Sequence, residues 1–170
     1  MPTTLDIKEP GLNVLPPGVE RHTVNMGGLT GLQIFPDDQI EIINEEGDQI
    51  CEIICFDKNG KSELGILSLK ENIKKSFIKE ILNNNDESSL ITKLQLKKRN
   101  LNINNSKSSI IFDKDTPSGE KVKLKSKDKC YVIFSAPKNE MLISDQNPSG
   151  DLTIFIKRAK ITKDKELSII

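Results

Sequence analysis

Short segments rich in isoleucine, valine and threonine, separated by turn residues, constrain the fold of this chain more than any other feature. They form two groups: residues 21–26, 29–35, 39–44 and 49–56, and then residues 109–112, 120–125, 129–136 and 151–158. β-Branched residues in segments of this length, with glycine, proline and aspartate between them, are typical of antiparallel strands. The sequence therefore predicts an α+β fold that is mostly antiparallel β, in a sandwich or barrel-like arrangement.

The connections between the early strands predict how those strands pair. Gly47 stands between the third and fourth segments, where it can adopt the positive φ that a tight turn needs. We therefore expect the first four strands to form an antiparallel meander, with residues 39–56 as a hairpin. In the second group, residues 120–125 begin an alternation of lysines that continues to Lys129, a pattern that protects edge strands from aggregation.

The middle of the chain changes to helical periodicity. Ser68 and Glu71 have the spacing of a capping box, and the apolar residues that follow recur every three or four positions. This pattern predicts a helix over residues 69–83. A second helix is expected over residues 87–99, with a cationic end that suits the helix dipole. Its predicted inward-facing residues are Leu90, Ile91 and Leu94. The two helices would form a central pair between the groups of strands.

The length of 170 residues fits one domain with a substantial core. We expect an extended, proline-rich lead-in over residues 1–20, a single β-rich domain over residues 21–158, and a tail or linker over residues 159–170. Lysine plus arginine equals aspartate plus glutamate, so no net field attracts nucleic acid or an anionic membrane. The first residues have neither the basic nor the apolar region of a secretory signal, which predicts a cytoplasmic protein.

The three cysteines and the single histidine are the first candidates for chemistry. On a strand, Cys51 and Cys55 point the same way but lie about 13 Å apart at ~3.3 Å per residue, too far to share one zinc ion. Cys130 opens another apolar strand. We interpret all three as small buried core residues. His22 has no nucleophile or orienting group near it in sequence, so we predict no catalytic residue and no metal site.

Carboxylates and an amide near the turn at residue 47 are the remaining candidates. Glu46, Gln49 and Glu52 could receive the N–H donors of an amine or a guanidinium group bidentately. The alternative is that each glutamate faces solvent. These three residues are the predicted ligand-binding residues.

Two parts of the sequence resemble a known family. The segment EGDQICEIICF at residues 46–56 resembles the hairpin of the urea carboxylase-associated domain family. The phrases FDKDTPSG and DQNPSGDL, within residues 110–159, resemble the N-terminal domain of aminomethyltransferase-like fusion proteins, in which a glycine cleavage T-protein-like domain follows. The lead-in PGLNVLPPGVERHTV also fits the start of such a domain. The cysteine- and histidine-containing segment of the urea carboxylase-associated family has no equivalent after Glu140.

The resemblance implies a non-catalytic accessory or interaction domain in one-carbon or amine metabolism. Its partners would be downstream domains or a separate aminomethyltransferase-like protein, and tetrahydrofolate would belong only to a neighbouring T-protein-like domain. A small-molecule-binding β-barrel, for an amine or a guanidinium group, is the alternative, and a degenerate metalloenzyme is a third.

A docking surface is predicted from the last strand. Residues 151–158 are apolar on both faces, so both faces must be covered. We expect Phe155 to lie in the docking surface, unless the two predicted helices cover it.

Overall fold

The computed structural model describes residues 15–113, 115–138 and 150–160. This part contains eight strands: β1 (Val19–Val24), β2 (Leu29–Ile34), β3 (Gln39–Asn44), β4 (Cys51–Asp57), β5 (Ser108–Ile111), β6 (Glu120–Lys125), β7 (Cys130–Ser135) and β8 (Leu152–Lys157). Each coincides within two residues with a segment predicted from the sequence, and the mostly antiparallel α+β class is confirmed. The predicted lead-in and tail lie mostly outside the described residues.

The strands form two four-stranded antiparallel sheets, in the orders β1-β8-β3-β6 and β2-β7-β4-β5. The predicted meander and the 39–56 hairpin are therefore wrong, because β3 and β4 belong to different sheets. Gly47 does have the expected positive φ of 81°. Its six-residue loop, residues 45–50, crosses between the sheets, a distance of about 10 Å in a typical sandwich. The lysine-rich strand β6 lies at a sheet edge, as predicted.

Two apolar layers hold the molecule together. The first fills the space between the sheets and includes Ile42, Ile154, Cys55 and Phe134. The second lies on the outer face of the β2-β7-β4-β5 sheet, where Ile54, Phe56 and Ile133 pack under two helices. Strands β4 and β7 are consequently buried on both faces, which accounts for their nearly continuous apolar sequences.

The helix predicted over residues 69–83 is confined to α1 (Phe77–Ile81), so most of that prediction is wrong. Ser68 is the left-handed cap that ends a 3₁₀ turn over Leu64–Leu67, and it begins no helix. The residues between Ser68 and α1 contact β5, the edge strand of the second sheet. Asn72 Nδ2 donates to the carbonyl oxygen of Ile110, and Asn72 Oδ1 accepts from the backbone N–H of Ile110. The hydrogen bonds of Asn72 to β5 are therefore formed in place of the helix start that Ser68 and Glu71 predicted.

The second helix, α2 (Glu87–Lys98), matches its predicted bounds within one residue but faces the other way. Leu90, Ile91 and Leu94, which were predicted to face inward, are exposed, at 47%, 51% and 65% of their surface. The buried side chains of the helix are Ser89, Thr92 and Leu96. No helix within residues 15–113, 115–138 and 150–160 combines the length and apolarity needed to cross a membrane.

Candidate functional site

Described parts of two segments that carry the family resemblance, residues 46–48 and 116–119, meet at one end of the sandwich, although they lie far apart in sequence. The loop after β3 and the loop before β6 are joined by backbone hydrogen bonds from Asp48 N to Thr116 O (2.8 Å) and from Gly119 N to Asn44 O (2.7 Å). No Cβ fits at Gly47, because the backbone of residues 116–118 fills that space. The start of β8 also reaches this end, where Thr153 Oγ1 donates to Glu45 Oε2 at 2.6 Å.

Glu46 lies in this loop cluster with its carboxylate exposed to solvent and beside the backbone of Gly150. Thr116 and Pro117, which contact Gly47, also line an open pocket of about 690 Å³. The rest of its lining consists of three carboxylate residues, one amide and four apolar side chains: Asp113, Asp115 and Glu120, with Asn72, Ile73, Ile110, Phe112 and Val122. Carboxylates beside apolar side chains suit a cationic organic ligand.

Gln49 is fully buried and holds the backbone at the same end of the molecule. Its Nε2 donates to the carbonyl oxygens of Ile50 and Pro137, both at 2.8 Å. Its Oε1 and the Oδ1 of Asn44 are buried with no hydrogen-bond partner among the described residues. The amide nitrogen of Gln49 therefore binds the backbone, whereas its oxygen Oε1 accepts no hydrogen bond from the described residues.

Glu52 is fully buried on the face of β4 that is turned toward the helices. Both of its carboxylate oxygens accept hydrogen bonds. One carboxylate oxygen accepts from the hydroxyls of Ser76 and Ser108, both at 2.6 Å. The other accepts from the backbone N–H groups of Phe77 and Ile78, at 2.7 and 3.0 Å. The carboxylate therefore fastens the start of α1 to β4 and β5. The structure does not gather Glu46, Gln49 and Glu52 into one site, and ligand binding by any of them stays a prediction.

The cysteines lie in the core, as predicted. Cys51 and Cys55 have no exposed surface and Cys130 has 1%, and all three are free thiols in the layer between the sheets. Burial raises the pKa of the Cys51 thiol, so this group stays protonated at neutral pH. Within residues 15–113, 115–138 and 150–160, no group of three histidine, cysteine or carboxylate side chains is arranged to hold a metal ion.

A charged network at the opposite end of β8 was missed by the sequence analysis. Arg158 binds Glu20 through Nε and Nη2, at 2.8 and 3.0 Å, and Asp38 through Nη1, at 2.7 Å. His22 Nε2 lies 3.1 Å from the same glutamate. The hydrogen bond from Arg158 lowers the pKa of Glu20 from 4.5 to about 2. No sequence pattern could have revealed partners that are 120 and 138 residues apart.

Phe155 lies half-buried on the outer face of the β1-β8-β3-β6 sheet, between Arg21 and Glu41 in the strand register. The helices cover the other sheet, so the expectation that they cover Phe155 is wrong. The ring lines a groove of about 530 Å³, whose other lining residues are five apolar and five polar ones: Leu15, Pro16, Val19, Ile40 and Leu124, with Gln39, Glu41, Lys123, Lys125 and Lys157. Docking through this groove stays a prediction.

Comparison with known proteins gives one extended similarity. The chain is 32% identical over 153 residues to the trimethylamine-oxide aldolase of Ruegeria pomeroyi, and the match covers 90% of this chain. It covers 19% of the aldolase, so the chain spans about a fifth of that protein's length. No family model matches the chain.

Proposed function

We propose that this chain is the counterpart of one segment of trimethylamine-oxide aldolase, and that it serves an amine-metabolising enzyme as an accessory domain without catalytic residues of its own. The extent of the match carries the proposal. Similarity over 90% of this chain and 19% of the aldolase is what one shared domain in a longer protein produces. The amine chemistry named for the aldolase then belongs to the larger assembly.

The uses of the polar side chains support the non-catalytic part of the proposal. Both carboxylate oxygens of Glu52 accept hydrogen bonds from α1 and β5. The guanidinium of Arg158 donates to two carboxylates and to the carbonyl oxygen of Gln33. Gln49 donates only to backbone carbonyls. These hydrogen bonds hold distant parts of the chain together, which is a structural role.

The docking part of the proposal rests on the groove around Phe155. Its lining combines apolar side chains with three lysines and one carboxylate, Glu41, which lies 3.8 Å from the ammonium of Lys123. A partner with an apolar ridge and carboxylates placed to meet Lys125 and Lys157 would fit. In this proposal the partner is an aminomethyltransferase-like protein, and tetrahydrofolate belongs to its T-protein-like domain. The free buried thiols suit a reducing compartment, so we place the assembly in the cytoplasm.

A domain-replacement experiment tests the proposal. One variant of the Ruegeria pomeroyi aldolase lacks the segment matched by this chain, and a second carries this chain in its place. Proton NMR follows the consumption of trimethylamine N-oxide by both variants, by the intact aldolase and by the isolated chain. We expect consumption by the intact aldolase and the chimera, less by the deletion variant and none by the isolated chain.

Two results would count against the proposal. Consumption of trimethylamine N-oxide by the isolated chain would make it an enzyme in its own right. A chimera that is folded by circular dichroism, yet no more active than the deletion variant, would show that this chain is not equivalent to the segment.

The pocket beside the loop cluster favours a second candidate function, the binding of an amine by the domain itself. Its lining combines Asp113, Asp115 and Glu120 with apolar side chains, a combination that suits an organic ammonium ion. A thermal-shift titration with trimethylamine tests this function. Stabilisation that Glu120→Gln removes and the matched change Glu71→Gln leaves intact supports binding, and no stabilisation rejects it.

A further inference from the structure

The polarity of α2 is inverted relative to an ordinary surface helix. Its buried side carries one leucine, Leu96, and two hydroxyl residues. The hydroxyls of Ser89 and Thr92 donate to the carbonyl oxygens of Ile81 (2.7 Å) and Ser88 (2.8 Å). Its exposed side carries Leu90, Ile91 and Leu94, which we call the α2 ridge. Since the buried hydroxyls are satisfied within the chain, the inversion is a stable arrangement that leaves the ridge in water.

The charges at the two ends of the ridge make it self-complementary. Glu87 is exposed in the first turn and Lys98 in the last, about 16 Å apart along the axis at 1.5 Å per residue. Consider an antiparallel pair of α2 helices related by a two-fold axis between residues 92 and 93. Glu87 of each copy then faces Lys98 of the other, which gives two equivalent ion pairs. The same symmetry places Ile91 opposite Leu94, also twice.

We propose that the α2 ridge docks onto the α2 ridge of a second copy of this chain, forming a two-fold symmetric, antiparallel helix pair. A two-fold interface uses the same patch on both copies, so the patch must match itself in charge and in shape. The ridge does so, with its aliphatic centre and its opposite charges at the ends. It lies on the outside of the β2-β7-β4-β5 sheet, whereas the Phe155 groove lies on the other sheet, so both surfaces can be occupied together.

The pairing should be weak. Two helices of 12 residues bury less than the ~1,200 Å² of a standard interface, so we expect a dissociation constant in the micromolar range. Sedimentation velocity of the full chain over concentrations from about 5 to about 500 μM tests this. The wild-type chain should shift from monomer to dimer across the series, and Leu94→Lys should remain monomeric.

A charge exchange tests the antiparallel register. Glu87→Lys and Lys98→Glu should each weaken the dimer about tenfold, because two attractive pairs become repulsive. The double variant Glu87→Lys/Lys98→Glu should restore it. The matched control is Lys74→Glu, an exposed charge change outside α2, which should leave dimerisation unchanged.

The double variant also separates pairing from a loss of helix stability. Both changes oppose the dipole of α2, so a purely structural effect would make the double variant the worst of the three. Restored dimerisation therefore supports the proposed pairing. If the wild-type chain stays monomeric throughout the series, the ridge does not bind a second copy and the proposal is overturned. A dimer that tolerates Leu94→Lys, or a double variant no better than the single ones, overturns it as well.

Discussion

Arg158 Nη1 donates a 2.7 Å hydrogen bond to Oδ2 of Asp38, a residue with only 1% of its surface exposed. The aspartate also accepts from the backbone N–H groups of Phe35 and Ala159, both at 2.9 Å. The end of β8 is thereby tied to the turn between β2 and β3, across 120 residues of sequence. This ion pair closes one end of the sandwich.

Removing the arginine should leave the carboxylate of Asp38 buried without its counter-charge. We expect Arg158→Met to lower the free energy of unfolding by about 3 kcal/mol, and Arg158→Met/Asp38→Asn to recover part of that loss. Urea unfolding measures both. Arg21→Met, an exposed arginine on β1, is the control and should change stability little. Equal losses for Arg158→Met and Arg21→Met would contradict a structural role for the pair.

The same network predicts a pH dependence through Glu20. Its pKa is lowered from 4.5 to about 2, first by the hydrogen bond from Arg158. A carboxylate with a lower pKa in the folded chain stabilises that chain above its unfolded pKa and loses this contribution as the pH falls. Between about pH 4.5 and about pH 2 the free energy of unfolding should therefore fall, and Glu20→Gln should flatten this dependence. Identical pH profiles for the two proteins would reject the assignment.

Glu52 should matter for stability because two hydroxyls and two backbone N–H groups depend on it. We expect Glu52→Gln to cost about 3 kcal/mol in urea unfolding and to speed hydrogen exchange in α1. The matched control Glu46→Gln changes an exposed carboxylate and should cost less than about 0.5 kcal/mol. A Glu52→Gln variant as stable as Glu46→Gln would show that the carboxylate is not a structural anchor.

Gly31 on β2 leaves room for the side chain of Tyr131. An added Cβ would collide with the tyrosine hydroxyl, and the ring cannot move freely because the guanidinium of Arg99 lies 4.3 Å from its centroid. Gly31→Ala should cost about 2 kcal/mol in urea unfolding. Gly31→Ala/Tyr131→Phe should recover part of that cost, because the hydroxyl is the nearest atom. Absence of any recovery would place the strain elsewhere in the strand.

The three buried thiols should be inert in the folded chain. We expect no reaction of Cys51, Cys55 or Cys130 with Ellman's reagent until denaturant is added, when all three should react. Metal analysis of the purified chain should find less than one equivalent of zinc or iron. A full equivalent that Cys51→Ser removes would overturn the assignment of these residues to the core.

The strands could be predicted because their signal is local. Segments such as residues 39–44 and 120–125 carry both their β-branched composition and their turn residues within a few positions. Strand partners could not be predicted, since turn chemistry at Gly47 fixes a change of direction without saying which sheet receives β4. The prediction of a helix from residue 69 was wrong because Asn72 binds the backbone of β5, which lies 38 residues further along the sequence.

The candidate site shows the same limit. The sequence singled out Glu46, Gln49 and Glu52 as near neighbours along the chain, but alternate residues of β4 face different layers. Glu52 points toward the helix layer with Ile54 and Phe56, whereas Glu46 lies in the loop cluster. The meeting of the loop after β3 with the loop before β6 depends on contacts more than 60 residues apart, which no local pattern encodes.

Binding of the isolated chain to the Ruegeria pomeroyi aldolase variant that lacks the matched segment tests the central claim most directly. Isothermal titration calorimetry should detect complex formation with the wild-type chain. Phe155→Ser should weaken binding at least about tenfold while the isolated chain stays folded, because the ring lines the proposed docking groove. Leu90→Ser, on the opposite side of the molecule, should bind like the wild type. No binding by the wild-type chain, or equal binding by Phe155→Ser, would contradict the account.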